Sequence, residues 1–275
     1  MLSSAQITAI YCITDDLLKA SGRRSDPRAQ LCDSEIITIA LVACLDFGGV
    51  WLHGMQFLYQ YGYIGKCIHK SRLSRRLLLL EPVAEEIFEC IAHAFTQLLS
   101  EKEFILDSTS LEVCDNIRII RCKMLEGKEF RGYKASFRRY FYGLRLQLLT
   151  TSEGVPVQYF ITEASMHDSA AMKEMDFNIS RESTVYSDAA YTDYAFEDEM
   201  LKIKNVTWLT QRKSNSKRQR DKQLSHKINK RRKRIETVFS SIKNMFKRKL
   251  QAYNIESYMR KIKFFIFAFQ FKYLI

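Results

Sequence analysis

The chain has 275 residues, of which 47% are hydrophobic, and it carries a formal net charge of +12. This composition can bury a sizeable core, which excludes a chain that is disordered as a whole. No apolar run reaches the roughly 18 residues of a membrane span, and Met1–Gln6 lacks the charged start of a signal peptide. No membrane partner is therefore expected. The positive charge predicts a polyanionic partner, nucleic acid before an anionic membrane surface, although some basic proteins bind neither.

The first hundred residues are predicted to be helical. Apolar residues recur there at helical spacing, and glycines, a proline and basic turns separate the runs. Small helices joined by basic turns suit a helix-turn-helix DNA reader and a plain helical packing domain equally well. Helices are predicted over Ile7–Leu17, Ile36–Leu45 and Leu52–Tyr61, then from His69–Arg76 onward, with Pro82 starting a last helix that reaches Leu99.

The pattern changes near residue 101, where short apolar runs begin to alternate with amphipathic segments. The order is strand, strand, strand, helix, strand, helix, strand, helix, which is the order of a ribonuclease-H-like α/β core with a mixed sheet flanked by helices. The predicted strands are Phe104–Asp107, Tyr140–Leu149, Val157–Thr162, Ser183–Asp188 and Val206–Thr210, and the predicted helices are His167–Met175, Thr192–Lys202 and Arg231–Lys243.

Three acids in this order are candidates for a metal site. Asp107 and Asp188 each end an apolar strand, and Glu236 comes from the last helix. The first and fourth strands of such a core are neighbours, and the last helix crosses them, so the three carboxylates can converge on two Mg²⁺ or Mn²⁺ ions. Taken singly, each acid is more often structural. Asp168 and Asp193 compete for the role but fit helix N-terminal positions better.

Basic residues surround the last helix. Arg232 and Lys243 lie on the same helical stripe as Glu236 and are candidates for phosphate contacts. The segment before and within this helix is rich in Lys and Arg but almost free of aromatic residues, which predicts a grip on the DNA backbone without base reading. A solvated loop is the alternative. The further candidates are Arg212, Lys213, Lys217, Arg218, Arg220, Lys230 and Arg231.

Several motifs in one order resemble the insertion-sequence-982 family of DDE transposases. The motifs include Leu106–Ser108, Val113–Arg118, Arg121–Lys123, Gly127–Tyr133, Tyr140–Leu144, His167–Asp168, Asp188–Tyr194 and Arg231–Ser240. The resemblance runs from about residue 100 almost to the C-terminus. It implies that Asp107, Asp188 and Glu236 form a catalytic triad that binds two Mg²⁺ or Mn²⁺ ions. Arg232, Glu236 and Lys243 also match the Tyr-Arg-Glu-Lys signature of related transposases, whose Tyr position holds Asn229 here.

The resemblance implies an enzyme that cleaves DNA at terminal inverted repeats and transfers the strands to target DNA, as a homo-oligomer in the bacterial cytoplasm at the nucleoid. The seven cysteines, without a Cys-x-x-Cys pair, also fit a reducing cytoplasm. The alternatives are a metal-dependent nuclease or resolvase without strand transfer, and a DNA-binding protein without chemistry. Three domains are predicted: a DNA-binding one over 1–100, the catalytic one over 101–250, and a C-terminal helix over 251–275 that packs on the core or at an oligomer contact.

Overall fold

The computed structural model describes residues 1–98, 100–134, 138–246, 250 and 252–275. These residues form two compact units. The first unit is helical and combines residues 1–91 with residues 241–275, whereas the second comprises residues 92–240 and contains the sheet. The chain therefore starts in the helical unit, builds the sheet unit, and then returns to the helical unit. The predicted helix end at Leu99 lies outside the described residues.

The helical unit is organised around two buried helices. It contains α1 (Ser4–Ala20), α2 (Asp33–Asp46), α3 (Trp51–Gln60), the first part of α4 (Lys70–Leu98) and α8 (Ile255–Phe271). Every side chain of α2 from Ile36 to Cys44 is buried, and so is every one of α8 from Phe264 to Phe271. A helix that is apolar all round belongs in the interior of a packed unit.

The C-terminal helix α8 completes the core of the helical unit. The Phe264 ring packs edge-on against Trp51, with 5.6 Å between the ring centroids, and Phe267 packs against Phe88. Arg260 donates to Glu81 in α4 over 2.7 Å. The sequence predicts that this helix packs on the core or at an oligomer contact, and its described partners within the chain lie among the N-terminal helices.

Pro82 does not start a helix but lies inside α4. Proline in a helix interior removes one backbone hydrogen bond, and it is tolerated most easily where the freed carbonyl can reach water. Pro82 is exposed, and Leu78, whose carbonyl would accept the missing bond, is 51% exposed. The position of the proline on the outer face explains why a single helix forms where the sequence predicts two.

The helices α2 and α3 are joined by a tight turn and bend by 107° relative to each other. Gly48 and Gly49 both have positive φ values in this turn. Gly54 lets α3 approach α2 closely, because a Cβ atom there would lie 2.8 Å from the Ala43 side chain. Among the described residues, no single helix has the length and apolar composition of a membrane span. Within the part of the chain that the structure describes, α2 and α3 meet that test only when they are taken together.

The second unit contains one mixed sheet of six strands. Its order is β2-β3-β1-β5-β6, and β4 also pairs with β3. β1 runs antiparallel to β3 and parallel to β5, which is parallel to β6. These are the order and orientations of a ribonuclease-H-like sheet, so the predicted α/β fold class is confirmed. The strands are β1 (Glu103–Asp115), β2 (Arg131–Lys134), β3 (Arg139–Thr151), β4 (Pro156–Glu163), β5 (Thr184–Ser187) and β6 (Thr207–Thr210).

Three helices accompany the sheet, namely α5 (Asp168–Glu174), α6 (Tyr194–Lys204) and α7 (Lys222–Met245). In the core of the unit, apolar side chains of the central strands, such as Leu106 and Val185, pack with Met172 of α5 and Met200 of α6. α7 begins nine residues earlier than predicted, and the Asp221 side chain caps it by accepting from the Leu224 amide at 2.6 Å. Much of the basic stretch predicted before the helix is therefore helical.

Candidate active site

Asp107 and Asp188 lie side by side on neighbouring parallel strands. The parallel pairing of β1 and β5 ends at Leu106 opposite Ser187, so the two acids are the next residues at the same edge. The sequence predicts that Asp107 ends its strand, but β1 continues to Asp115 because antiparallel β3 pairs with it that far. Only its parallel partner stops there. The backbone around Asp107 is therefore held on one side and open on the other.

The Arg232 guanidinium joins the two aspartates. One nitrogen donates to Asp107 Oδ2 at 3.0 Å, and the other lies 3.3 Å from Asp188 Oδ1. The second nitrogen also donates to Gln211 Oε1 at 2.8 Å. The Arg232 Nε atom is buried, and no partner for it lies among the described residues. One cation from α7 thus lies between two carboxylates and keeps one donor unused.

Burial makes the Asp107 carboxyl a weaker acid than usual. Its side chain is 15% exposed, against 39% for Asp188. Desolvation raises the pKa of Asp107 to about 6, even though Arg232 and the Ser108 amide favour the ionised form. Asp188 also supports the local backbone, because its Oδ1 accepts from the Ala189 amide at 2.7 Å and caps a short 3₁₀ turn. The site therefore holds one buried and one accessible carboxylate.

Glu236, the third predicted acid, follows Arg232 by four residues on α7, which is just over one helical turn. Its side chain is exposed, whereas Arg232 is largely buried. Across the described ranges, no group of three His, Cys, Asp or Glu side chains is arranged to hold a metal ion. The structure brings Asp107 and Asp188 to one cation and leaves Glu236 outside that contact. Lys243, seven residues further along α7, is exposed as well.

Beside the aspartates lies a polar network that the sequence analysis does not identify. The Tyr191 hydroxyl donates to Gln147 Oε1, and Gln147 donates to Asp168 Oδ1 at 3.0 Å. Arg145 completes the network by donating to both oxygens of Asp168. Burial, followed by the charges of Asp168 and Asp107, raises the pKa of Tyr191 well above its usual value. The signal in the sequence was Gln147 between Leu146 and Leu148 in a predicted strand, and the structure buries it completely.

Asp168 and Asp193 have the structural positions predicted for them. Asp168 is the first residue of α5, and Asp193 caps α6 by accepting from the Ala195 and Phe196 amides at 3.1 Å. An ion pair with Lys173 lowers the pKa of Asp193, since the charge partner and the two amides all favour the carboxylate. Neither acid joins Asp107 and Asp188 at the Arg232 guanidinium.

Comparison with known proteins now decides the family. Residues 100–249, more than half of the chain, match the family described as "Transposase DDE domain". The chain belongs to this family. One solved structure, "Mos1 transposase paired-end complex with left transposon end", is 12% identical, with 80% of this chain and 81% of that chain covered and a TM-score of 0.26. Among curated proteins, none matches the sequence.

Two arginines predicted to contact DNA are bonded within the transposase itself, Arg212 to a carboxylate and Arg220 to backbone carbonyls. The Arg212 side chain is 3% exposed and forms a two-fold ion pair with buried Glu197 of α6. Arg220 donates to the backbone carbonyls of Thr210 and Trp208, each at 3.1 Å. Neither guanidinium can reach a phosphate without breaking these bonds. The bonds of Arg212 and Arg220 hold the segment between β6 and α7 against β6 and α6.

The other predicted DNA contacts of the transposase lie at its surface. Arg218 pairs with Asp198 at 2.7 Å and stacks on the Tyr194 ring, but it is half exposed. Arg231 pairs with Glu103 at 2.5 Å. Exposed side chains without a described protein partner are those of Lys213, Lys217 and Lys230. Among the predicted contacts of this segment, these three lysines therefore carry exposed charge that no described protein group balances.

Proposed function

We propose that this transposase cleaves DNA strands at the ends of an insertion sequence and joins them to target DNA. The observation that carries the proposal is the pair Asp107 and Asp188, which flank one cation at a strand edge within the family-matched region. Glu236, one turn from that cation on α7, is the third acid. Within the transposases, the motifs around these residues support the insertion-sequence-982 family in particular.

The residues of the site fit a divalent cation. Asp107 and Asp188 offer carboxylate oxygens, which are the ligands that Mg²⁺ and Mn²⁺ prefer, and both already face a single positive charge. Glu236 is exposed on the helix that carries the charge, so it can supply a further oxygen. Two such ions, when bound, would activate a hydroxyl nucleophile and stabilise the leaving oxygen of a phosphodiester.

Arg232 is proposed to balance the carboxylates until the substrate arrives and then to contact a phosphate. Its planar fork matches phosphate oxygens as well as carboxylates, and its Nε donor is unused. Asp107 would stay in place throughout, because antiparallel pairing with β3 continues on both sides of it. Lys213, Lys217 and Lys230 would hold the DNA backbone, together with Lys243.

The helical unit is proposed to read the terminal inverted repeats. α2 and α3 meet at 107° across a turn with two glycines, which is the geometry of a helix-turn-helix pair. One face of α3 is open for base contacts, and it carries Leu52, His53, Gln56, Tyr59 and Gln60. His53→Ala with Gln56→Ala should abolish discrimination between end DNA and random DNA, while Asp16→Ala on α1 should not. Equal discrimination by all three proteins would place end recognition elsewhere.

The amide variants test the chemistry. Asp107→Asn, Asp188→Asn and Glu236→Gln should each still bind DNA, while nicking of a supercoiled plasmid that carries the element's ends should fall by orders of magnitude. The three losses should be strongly non-additive, because each one disables the same unit. Asp193→Asn serves as the matched control and should nick nearly as fast as wild type. If Glu236→Gln nicks normally while Asp193→Asn is inactive, Glu236 has been assigned incorrectly.

The same assay separates strand transfer from simple cleavage. A transposase should convert cleaved ends into products joined to a second plasmid when Mg²⁺ or Mn²⁺ is present. Cleaved ends without any joined product would favour the nuclease or resolvase alternative. Ca²⁺ should support DNA binding with little cleavage.

A further inference from the structure

The sheet unit carries an apolar projection that the site does not use. After β1, residues Asn116–Arg121 form one 3₁₀ helix of six residues. Ile117 is 94% exposed and Ile120 is 98% exposed, so both side chains stand almost wholly in solvent. Large apolar side chains that project next to each other on a surface mark interaction sites, whereas single ones need no explanation. The spacing of the two isoleucines along the helix determines the shape of this exposed apolar surface.

In a 3₁₀ helix, residues three apart lie directly above each other. Ile117 and Ile120 therefore form one row, and Arg118 and Arg121 form the next row. The third row includes Ile119, which is only half-buried and faces the protein. The turn thus presents an apolar ridge with a positively charged ridge beside it.

The surroundings of this ridge are basic and aromatic. Six cations and two acids occur between Asn116 and Lys134. Tyr133 and Tyr140 pair across β2 and β3 at the same end of the sheet, with ring centroids 4.9 Å apart, and both are exposed. A positive surface with projecting apolar groups complements a nucleic acid, whose phosphates lie outside and whose base faces are apolar.

We propose that the Ile117–Ile120 ridge is a wedge that inserts between base pairs of bound DNA, while Arg118 and Arg121 hold the flanking phosphates. Apolar side chains used in this way unstack a base step and kink the duplex. Asp107 and Asp115 are eight residues apart on β1, or roughly 26 Å along an extended strand, so the wedge would act on DNA at a distance from the reacting phosphate. The proposal rests on DNA being the substrate of the chain, as proposed above.

A second copy of the chain is a poorer fit for this ridge. A two-fold contact centred on this ridge would bring the Arg118 and Arg121 pairs of the two copies close together, where they repel. A stable interface also needs about 800 Å² from each partner, more than one six-residue turn supplies. Self-association through the ridge would overturn the proposal.

The test compares two labelled duplexes of the same sequence, one perfect and one with a single-base bulge, using the full chain in Ca²⁺. Wild type should bind the bulged duplex roughly tenfold or more tightly, because part of the unstacking is already done. Ile117→Ser with Ile120→Ser should bind both duplexes with the wild-type affinity for the perfect one. A 2-aminopurine base beside the contact should brighten with wild type and stay dark with this variant.

Matched variants complete the test. Ile203→Ser removes another exposed isoleucine of the same unit, which is 64% exposed, and should behave as wild type. Arg118→Gln with Arg121→Gln should weaken binding to both duplexes equally and reduce the slope of log affinity against log salt by roughly 1.8. The proposal is overturned if wild type does not prefer the bulge, or if the serine variant retains that preference. It is also overturned if the serine variant changes only the oligomeric state in sedimentation.

The two proposals fail independently. The duplex measurements need no strand cleavage, so a wedge can be found in a protein that never nicks its own ends. Conversely, a protein that nicks and joins plasmid ends but ignores the bulge would keep the proposed function and lose the wedge.

Discussion

Asp107→Asn should stabilise the metal-free protein while it abolishes catalysis. The folded state must ionise a buried carboxyl whose pKa is about 6, whereas the reference carboxyl titrates at 3.8. Each pH unit of that difference corresponds to about 1.4 kcal/mol. The wild-type protein therefore loses about 3 kcal/mol of unfolding free energy as the pH rises from about 4 to above 6. The uncharged amide avoids this loss, since it has no proton to release.

The sign of the pH dependence makes this effect measurable. Well below pH 3.8, Asp107 is protonated in both the folded and the unfolded state, so the variant and wild type should be about equally stable. Above pH 7 the variant should be more stable by about 3 kcal/mol, with the gap opening between these limits. Urea denaturation in EDTA, repeated from pH 4 to pH 8, gives the difference directly. Arg232 keeps one aspartate partner in the variant, namely Asp188.

Asp193→Asn provides a control with the opposite sign. Its pKa is lowered in the folded state, mainly by Lys173, so it stabilises the fold above its ordinary pKa and loses that contribution as the pH falls. The amide should therefore destabilise the protein at neutral pH. If Asp107→Asn is less stable than wild type at pH 8, or if the gap does not change with pH, burial does not control Asp107 and the reasoning is refuted.

Three further outcomes are expected. Mn²⁺ should raise the urea midpoint of wild type but not of Asp107→Asn, because the metal binds only to the ionised carboxyl. Glu197→Gln should lower the free energy of unfolding in urea by about 3 kcal/mol, because it leaves the buried Arg212 guanidinium without its charge partner. Asp198→Asn, at the exposed pair with Arg218, should leave the urea midpoint nearly unchanged. Gly54→Ala should destabilise the helical unit by about 1 kcal/mol in thermal unfolding, because its Cβ would meet Ala43 at 2.8 Å; a higher melting temperature would show that α3 can shift.

The order of the helices and of the strands other than β2 was readable from the sequence because each of those strands contains an apolar run of its own. β2, with the sequence Arg-Gly-Tyr-Lys, has no such run and was not predicted. The length of a strand could not be read from the sequence where pairing with another strand determines its end. β1 runs on past Asp107 because β3 pairs with it up to Asp115, although its residues beyond Leu106 no longer alternate cleanly. At Pro82 the opposite occurs. A proline normally interrupts a helix, but α4 continues through Pro82 because this residue lies on the exposed face of the helix.

The closeness of Asp107 and Asp188 could be predicted from their places next to two strands, but their shared partner could not. Arg232 was predicted to contact a phosphate, yet its spacing from Ile228 and Ile235 places it on the buried face of α7, where it reaches Asp107 and Asp188. The basic segment before α7 suggested a uniform grip on DNA. Ion pairs formed across the fold remove Arg212 from that set, and no local pattern reveals them.

The discontinuity of the helical unit has a consequence for how the protein is made. Residues 1–91 are synthesised before the sheet unit, but α8, which fills their core, is synthesised after it. The sheet unit is continuous in sequence and can fold as soon as residues 92–240 have emerged. The usual order, in which the N-terminal part folds first, is therefore reversed. A translation product that stops before α8 would carry the sheet unit but lack a completed helical core.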